Sequence, residues 1–300
     1  MAETEISAAG ARAVITTTGA TLRLFEVAGV PYLETFPAGE PAPMGSGAVL
    51  VPWPNRVANA RWAHNGEALR LDVSEPARGN ASHGLVRRET WEVTEVDAGS
   101  ATLAVTIAKR PGWPFVFRAT MTYEVGEHGL KVTHGVENLG DQPMPFGVGA
   151  HPYPRPGRAE VDDCVLTLAA TTHLPLDPTT MTPSGPVTAI PRFAQVVREV
   201  TLDDAFGGCE PDADGLVHHT LVHRTPRGRS GGVEVWADPV FRWVQVYTPD
   251  SFPGHDGGAV AIEPMTCPPD ALNSGTDLLT VHPGECWRAS WGITPIGSSA

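Results

Sequence analysis

The stretch ATLAVTIAKRPGWPFVFRATMTYEV, residues 101–125, contains two segments in which apolar and polar side chains alternate, at residues 101–107 and 118–125. Between them lies a cluster of turn-forming residues, 110–114. Alternation at every second residue turns one face of a strand toward the core and the other toward solvent. The stretch therefore predicts two half-buried strands separated by a turn.

The same alternation recurs further along the chain, in GVEVWA at residues 232–237 and in FRWVQVY at residues 241–247. The chain also has 32 glycines and 29 prolines among its 300 residues, which is too much interruption for long helices. We predict an all-β fold of antiparallel sheets with few or no long helices. Because all-β domains often exceed the usual domain length, residues 1–300 are predicted to form one domain.

The charge and the cysteines bear on partners and location. A formal net charge of −13 disfavours a nucleic acid or an anionic membrane as partner, since either needs a basic surface. The four cysteines lie far apart and form no C-x-x-C pair, which favours free thiols in a reducing compartment. The first residues, MAETEISAAGARAVI, show no secretory leader pattern, and no apolar run approaches membrane-spanning length. We expect a cytoplasmic protein.

One glutamate stands in an unusual place, within GAVAIEPMTCPPDALNSGTDLLTVHPG at residues 258–284. Glu263 follows the apolar run 259–262, which predicts a buried strand, and precedes Pro264, which is expected to end that strand. A carboxylate at the end of a buried strand is costly unless it is paired or used in chemistry. The alternative is a structural glutamate tied to a loop amide or a salt bridge.

Two long segments with few strand signals, residues 41–59 and 72–84, are typical of functional loops. The first contains Arg56 in PWPNR, where the prolines and a tryptophan favour an ordered loop that aims the guanidinium. The second ends with NASHG and contains His83. An ordinary solvated surface charge is the alternative for Arg56.

Two further motifs supply polar groups. In GVGAHPYP, residues 147–154, small residues allow close approach of a ligand, and His151 ends an apolar strand. In LDDAF, residues 202–206, Asp203 is one of two adjacent acids, for which a turn cap is the alternative. The chain shows no G-x-S-x-G elbow and no glycine-rich phosphate loop.

A metal site has one weak candidate. His219 and His223 are spaced four apart and would share a face on a helix. The segment fits a strand equally well, and no third ligand lies nearby in the sequence. We therefore predict no metal site.

The motifs NRVANARW, N-x-x-HG, HPY, LDDAF, YTP and IEPMTCPPDALN follow one another between about residue 45 and residue 292. In this order they resemble the aldose 1-epimerase (galactose mutarotase) family. The resemblance implies a β-supersandwich, and an isomerase that interconverts the α and β anomers of a free aldohexose of the glucose or galactose type. It also implies a small sugar as partner, no cofactor, and a monomer or homodimer.

The resemblance assigns roles residue by residue. His151 matches the general acid of the family and Glu263 its general base, while Arg56, His83 and Asp203 match substrate-binding positions. Asp204 stays open as the alternative to Asp203. The family commonly has phenylalanine after HPY, where this chain has Pro154, and the difference bears on sugar preference.

The acid–base roles imply a charge state. The base must take the proton of the C1 hydroxyl while the acid protonates the ring oxygen, so Glu263 is expected to be ionised and His151 protonated. At ~6 Å and an effective dielectric of ~20, their attraction is roughly 3 kcal/mol, or about 2 pKa units, which is expected to keep His151 protonated near pH 7. A bell-shaped pH–rate profile is expected to follow.

Three other functions remain open. A hexose-6-phosphate 1-epimerase would need cationic groups at the mouth of the site, for which Arg61, Arg87 and Arg88 are available. A non-catalytic carbohydrate-binding domain would not need an acid–base pair. A glycoside hydrolase would use Asp203 and Glu263 as its two carboxylates.

Sugar preference depends in part on aromatic faces that pack against sugar C–H groups. The candidates for that role in the sequence are Trp53, Trp62 and Trp243.

Overall fold

Short strands joined by turns are the main secondary structure of the chain, as the frequent turn residues indicate. The structure is a computed structural model, and it describes residues 2–224, 230–254 and 257–297. In these ranges the strands are β1 Glu3–Ala8, β2 Ala11–Thr16, β3 Leu22–Val27, β4 Val30–Pro31, β5 Val49–Leu50, β6 Arg56–Val57, β7 Arg61–His64, β8 Glu67–Arg70, β9 Ala81–Ser82, β10 Glu92–Val96, β11 Ser100–Ile107, β12 Phe117–Gly126, β13 Gly129–Asn138, β14 Met144–Phe146, β15 Gly149–Ala150, β16 Cys164–Thr167, β17 Thr172–Leu174, β18 Thr188–Ala189, β19 Ala194–Val196, β20 Asp203–Gly207, β21 Val217–Arg224, β22 Ser230–Ala237, β23 Trp243–Tyr247, β24 Ala261–Met265, β25 Leu279–Val281 and β26 Cys286–Ile296.

Helices are short throughout the described ranges. They are the 3₁₀ turns Pro43–Gly45, Ala58–Ala60, Val161–Asp163 and Val197–Glu199 and the single α-helical turn α1, Ala271–Ser274. Among the described residues no helix is long and apolar enough to cross a membrane. The prediction of an all-β antiparallel fold with few or no long helices is confirmed.

Three larger sheets organise the strands. The nine-stranded sheet has the order β10-β11-β12-β13-β26-β22-β21-β16-β19, and the four-stranded sheet, β1-β2-β3-β4, lies against it through β1 and β2. The seven-stranded sheet has the order β18-β17-β20-β23-β24-β15-β5. Three strand pairs, β6-β9, β7-β8 and β14-β25, complete the pattern. Neighbouring strands are antiparallel, as in β11-β12 and β23-β24.

The alternating segments form strands as predicted. β11 and β12 pair over their full length, from Ser100 opposite Glu124 to Ile107 opposite Phe117. Their apolar phase is buried, and Leu103 and Phe117 have no exposed surface. The segment at 241–247 also forms a strand, β23, although it begins two residues later than the alternation does.

Glu263 lies inside a strand and not at its end. The prediction that Pro264 ends the strand is wrong, because β24 continues to Met265 and is buried along its whole length. Pro264 stands opposite Val244 of β23, so the register continues past the proline. The carboxylate of Glu263 is therefore fixed by strand pairing on both sides of its Cα atom.

The side to which the proline nitrogen points explains why the strand tolerates it. The backbone N–H groups of Ile262 and Thr266 donate to carbonyls of residues 148–152, at 3.2 Å and 2.9 Å. The nitrogen of Pro264 lies between them in the alternation and faces the same way, toward β15. Because proline has no N–H, one backbone hydrogen bond from β24 to β15 is missing, and β15 is only two residues long. The hydrogen bonds between β24 and β23 are unaffected.

A large apolar cluster links the sheets. Strands of all three larger sheets contribute side chains to it, among them Ile15, Phe25, Leu103, Phe117, Val244 and Ile262. Ile262 is fully buried on the side of β24 opposite to Glu263. The strand that carries the carboxylate is thus held by core packing from behind.

We expect Ile262→Ala to lower the free energy of unfolding by about 2–5 kcal/mol, because the lost side chain leaves a cavity that the surrounding sheet does not close. Urea unfolding followed by circular dichroism measures the change. Val187→Ala, at a side chain that is 46% exposed, is the control and should change the value by less than about 0.5 kcal/mol. Equal effects of the two substitutions would contradict the proposed packing behind β24.

Candidate active site

A cavity of about 450 Å³ opens where the two long segments of the N-terminal half meet the seven-stranded sheet. The five residues predicted for the site all line it, namely Arg56, His83, His151, Asp203 and Glu263. They come from five separate parts of the chain. The seven-stranded sheet brings three of them together, because Asp203 lies on β20, Glu263 on β24 and His151 at the end of β15. β20, β23 and β24 are neighbours in the sheet, and the end of β15 lies beside β24.

The histidine and the glutamate are in direct contact. His151 Nε2 lies 3.3 Å from Glu263 Oε1, and the two side chains are only 7% and 3% exposed. His151 directly follows β15, and its main chain is fixed by bonds from His151 N to the Ala48 carbonyl and from Gly47 N to the His151 carbonyl. The expected separation of about 6 Å is therefore too large for this pair.

Three neighbours determine the orientation of the His151 ring. Tyr153 stacks on it, with ring centroids 5.3 Å apart and planes at 26°, while His83 meets it edge-on at 5.5 Å. Gly45 lies over the reactive edge of the ring, and a Cβ atom added there would come 3.2 Å from His151 Nε2. A glycine with φ of +76° keeps that edge clear.

Burial reverses the charge state expected for the pair. Desolvation, with a further contribution from the Asp203 carboxylate, raises the pKa of Glu263 well above its ordinary value. Desolvation also lowers the pKa of His151 to about 3, aided by the positive charges of Arg87 and Arg56. Both shifts run against the expectation of an ionised Glu263 and a protonated His151, because burial favours the neutral form of each group in the free protein.

Asp203 is held by a chain of buried amides. Gln245 Nε2 donates to Asp203 Oδ1 at 2.7 Å, and Asn55 Nδ2 donates to Gln245 Oε1 at 3.1 Å. Asp203 begins β20 and is not a turn residue, and burial raises the pKa of its carboxyl group. Asp204 points elsewhere, since its Oδ1 lies 2.8 Å from His173 Nε2. Of the two adjacent acids, Asp203 is the one that lines the cavity.

Arg56 is paired and not a free surface charge. Its Nε and Nη2 donate to the two carboxylate oxygens of Glu75, at 2.9 Å and 3.1 Å, and its side chain is 11% exposed. Arg78 Nη1 donates to the same carboxylate at 3.0 Å. Burial raises the pKa of Glu75, but the bonds from both arginines outweigh this effect and the net shift is downward.

His83 adopts a backbone conformation that is rare for a residue with a side chain, with φ of +61°. Main-chain bonds from His83 N to the Asn55 carbonyl and from Leu85 N to the Val51 carbonyl, both 2.8 Å, hold the loop in place. Burial lowers the pKa of His83 well below its ordinary value, and the nearby His151 and arginines add to the shift. Such strained positions cluster at functional sites.

The aromatic residues predicted to pack against a sugar do not line the cavity. Trp53 and Trp62 pack against Trp113 in the core, with ring centroids 5.6 Å and 5.5 Å apart, and Trp243 is 5% exposed. Tyr247, which the sequence analysis missed, lines the cavity instead. The sequence did contain a signal for Tyr247. Tyr247 lies two residues after Gln245 on β23, so both side chains are on the same face of the strand, and Gln245 is a polar residue in an otherwise apolar run.

His219 and His223 lie on β21, so the strand interpretation of this segment is confirmed. His219 is buried, and its Nδ1 accepts a bond from the Ala169 N–H at 3.3 Å. Among the described residues no group of three or more histidine, cysteine, aspartate or glutamate side chains is arranged to hold a metal ion.

Comparison with known proteins agrees with this fold. The family model for aldose 1-epimerase matches residues 3–294. The uncharacterized protein YihR of Escherichia coli strain K12 is 32% identical over 252 residues, which cover 82% of this chain and 78% of that protein. The chain belongs to the aldose 1-epimerase family and is an isomerase of that family, with a small sugar as substrate.

Solved structures share the fold across almost the whole chain. The GalM/aldose epimerase homologue from C. elegans has a TM-score of 0.83 at 16% identity, and covers 99% of both chains. A galactose mutarotase-like protein from Clostridium acetobutylicum has a TM-score of 0.82 at 19% identity, and covers 98% of this chain and 94% of its own. At these identities the similarity concerns the fold, and it confirms the predicted galactose mutarotase-like β-supersandwich.

In the free protein at pH 7 we expect Glu263 to be protonated, because burial raises the pKa of its carboxyl group. The infrared difference spectrum between wild type and Glu263→Gln should therefore contain the band of a protonated carboxyl group. Glu75→Gln is the matched control and should show carboxylate bands, since its two arginines lower the pKa of Glu75. Carboxylate bands for both residues would show that Coulomb attraction, and not burial, governs the pair.

Proposed function

We propose that the protein interconverts the α and β anomers of a free aldohexose, with Glu263 as base and His151 as acid. The observation that carries the proposal is the 3.3 Å contact between His151 Nε2 and Glu263 Oε1 on the wall of the cavity. A carboxyl group and an imidazole are thus in contact on the wall of a cavity of about 450 Å³. No other reactant is needed for the reaction.

The proton movements balance as follows. The C1 hydroxyl gives its proton to Glu263, the bond between C1 and the ring oxygen breaks, and the ring oxygen takes a proton from His151. The open-chain aldehyde rotates about its C1–C2 bond. Closure on the other face reverses each transfer, so the hydroxyl proton returns from Glu263 and His151 regains its own.

Ring opening begins from the charged form of the pair, an ionised Glu263 beside a protonated His151. This form has the same net charge as the neutral form, and one proton transfer across the 3.3 Å contact converts one into the other. Once the ring has opened, the proton has returned to Glu263 and the pair is neutral again. The burial that makes the pair neutral in the free protein therefore stabilises it beside the open-chain sugar.

The remaining residues have complementary roles in holding the sugar. Arg56 presents donors, Asp203 presents acceptors, and His83, which is neutral because burial lowers its pKa, offers either. Their partners Glu75 and Gln245 orient Arg56 and Asp203 before the sugar binds. Hydroxyl groups around a pyranose ring match this mixture of donors and acceptors.

The alternatives differ in how the structure bears on them. A sugar-binding domain without activity does not require a buried proton-transfer pair, and the chain belongs to a family of isomerases. A glycoside hydrolase would place two carboxylates about the bond to be broken, whereas here the partner in contact with Glu263 is a histidine. A hexose 6-phosphate remains the second candidate substrate. Arg87 and Arg88 lie beside the cavity and form no ion pair with a described residue, which favours it.

Mutarotation of pure α-glucose or α-galactose, followed by polarimetry, tests the reaction. We expect wild type to accelerate equilibration, and Glu263→Gln and His151→Asn each to reduce the acceleration by about 10²-fold or more, because each removes a proton-transfer group. The control is Glu124→Gln, which changes a carboxylate on β12 that pairs with Lys131, is 47% exposed and does not line the cavity, and it should retain the wild-type rate.

Circular dichroism of each variant excludes loss of folding as the cause. Full activity in folded Glu263→Gln would contradict the assignment of the base. The absence of acceleration with every free aldose, together with acceleration of a sugar phosphate, would favour the second candidate.

The pH dependence of kcat/KM tests the charge states of the free enzyme. The pair must carry one proton between its two groups, so activity is lost when His151 gains a second proton or when Glu263 loses the shared one. We expect a level profile through neutral pH. The acid limb should fall toward pH 3, the pKa of His151, and the alkaline limb should lie above the ordinary range of a glutamate. An acid limb near the ordinary histidine value of about 6.5 would contradict this account.

A further inference from the structure

The reaction cavity has one end that is less polar than the rest. Apart from the histidines, Met44 and Tyr247 are the only described lining residues with large, mainly apolar side chains. The part of the lining formed by Arg56, Glu75 and Arg78 is charged. An aldopyranose is also uneven, since C2, C3 and C4 carry hydroxyl groups directly, whereas C5 of a hexose carries a carbon atom. The cavity therefore favours one direction of the sugar.

The strand register places Tyr247 at the less polar end. Gln245 stands opposite Glu263, and Tyr247, two residues further along β23, stands opposite Ala261. Residues two apart on a strand project from the same face of the sheet. Tyr247 packs against a small apolar cluster that contains Tyr153 and Ala261. Tyr247 thus lies one step along the sheet from the reactive pair, on the side of Tyr153.

Met44 reaches the same end through the turn Pro43–Gly45. The Tyr153 hydroxyl donates to the Met44 carbonyl at 3.3 Å, so the turn is joined to the ring that stacks on His151. Met44 and Tyr247 therefore border the cavity on the side of Tyr153. This part of the cavity is here termed the apolar end.

Two features of Met44 are unusual for a residue that only fills space in the core. It is 38% exposed, although its side chain is large and apolar. Its φ of +51° lies in the left-handed region, which is uncommon for a residue with a side chain. Strained positions of this kind cluster at functional sites. The flexible thioether chain adapts to irregular apolar surfaces, such as the C–H groups of a sugar.

The proposed proton transfers decide which edge of the sugar faces the apolar end. His151 protonates the ring oxygen, and Tyr153, at the apolar end, stacks on its imidazole. The ring oxygen is bonded to C1 and C5, and C1 faces Glu263. The atom on the other side of the ring oxygen is C5, so C5 and its C6 group point toward the apolar end. The C2, C3 and C4 hydroxyls then face the polar part of the lining.

We propose that Met44, supported by Tyr247, determines specificity among aldoses by packing against the carbon atoms C5 and C6 of a hexopyranose. The inference rests on the proposed function for the direction in which the sugar binds. An aldohexose gains this contact. Xylose, which is glucose without C6, does not gain it in full. The protein should accordingly prefer aldohexoses to aldopentoses.

The test compares kcat/KM for glucose, 6-deoxyglucose and xylose in wild type and Met44→Ala, by polarimetry of each pure anomer. We expect wild type to favour both hexoses over xylose. Met44→Ala should lower this hexose-to-xylose ratio by about 10-fold, as for the loss of an apolar contact with one carbon atom. 6-Deoxyglucose keeps C6 without its hydroxyl group, so it should respond to the substitution as glucose does.

Three further variants separate the contact from a structural effect. Met44→Leu keeps an apolar side chain and should retain most of the ratio, whereas Met44→Gln keeps the length, adds a polar end and should lose it. Leu139→Ala shortens an apolar side chain that is 46% exposed and does not line the cavity, and it should leave the ratio unchanged. A merely structural role of Met44 would lower kcat/KM for all three sugars alike.

An unchanged ratio in Met44→Ala would overturn the proposal, as would a loss for glucose that 6-deoxyglucose does not share. If no sugar is epimerised, the proposed function fails separately, and calorimetric titration with glucose and xylose decides the specificity. Glucose must then bind more tightly than xylose, and this difference must shrink in Met44→Ala and not in Leu139→Ala. Equal binding of the two sugars to wild type, or no binding of either, overturns the proposal.

Discussion

The contact between Glu263 and His151 depends on the antiparallel pairing that holds β24 between β23 and β15. On one side the register places Gln245 opposite Glu263, so the amide that bonds Asp203 and the carboxylate project from neighbouring strands into one cavity. On the other side β15 ends at His151. The proline within β24 is compatible with this arrangement because its nitrogen faces the short strand. A slip of one residue would turn Glu263 into the core and remove the site.

Burial is the second determinant of the chemistry. In a polar site the opposite charges of Glu263 and His151 would stabilise each other, whereas here desolvation is larger and the neutral pair prevails. The charged form differs from the neutral one only by the position of a proton within a 3.3 Å contact. In a reaction that adds one proton to a base and removes another from an acid, the net charge of such a pair would stay the same before and after the transfers.

Much of the strand pattern could be predicted because alternation is a local property, as in residues 101–125, and the unusual settings of His151 and Glu263 were visible in the sequence. The partners of the site residues were not. Asn55 and Gln245 bond across 190 residues of chain, and the pairing of Arg56 with Glu75 depends on how two loops meet. The charge state was also mispredicted, because the extent of burial follows from the assembled sheets and not from the motif.

The ring stack on His151 has a mechanical consequence. Tyr153 packs on the imidazole and donates its hydroxyl to the Met44 carbonyl at 3.3 Å, while Gly45, the next residue, lies over the edge of the same imidazole. The turn Pro43–Gly45, Tyr153 and the imidazole of His151 thus pack as one unit. A displacement of this turn is expected to shift Tyr153 and the imidazole together, so a ligand that moved the turn would also change where His151 Nε2 points within the cavity.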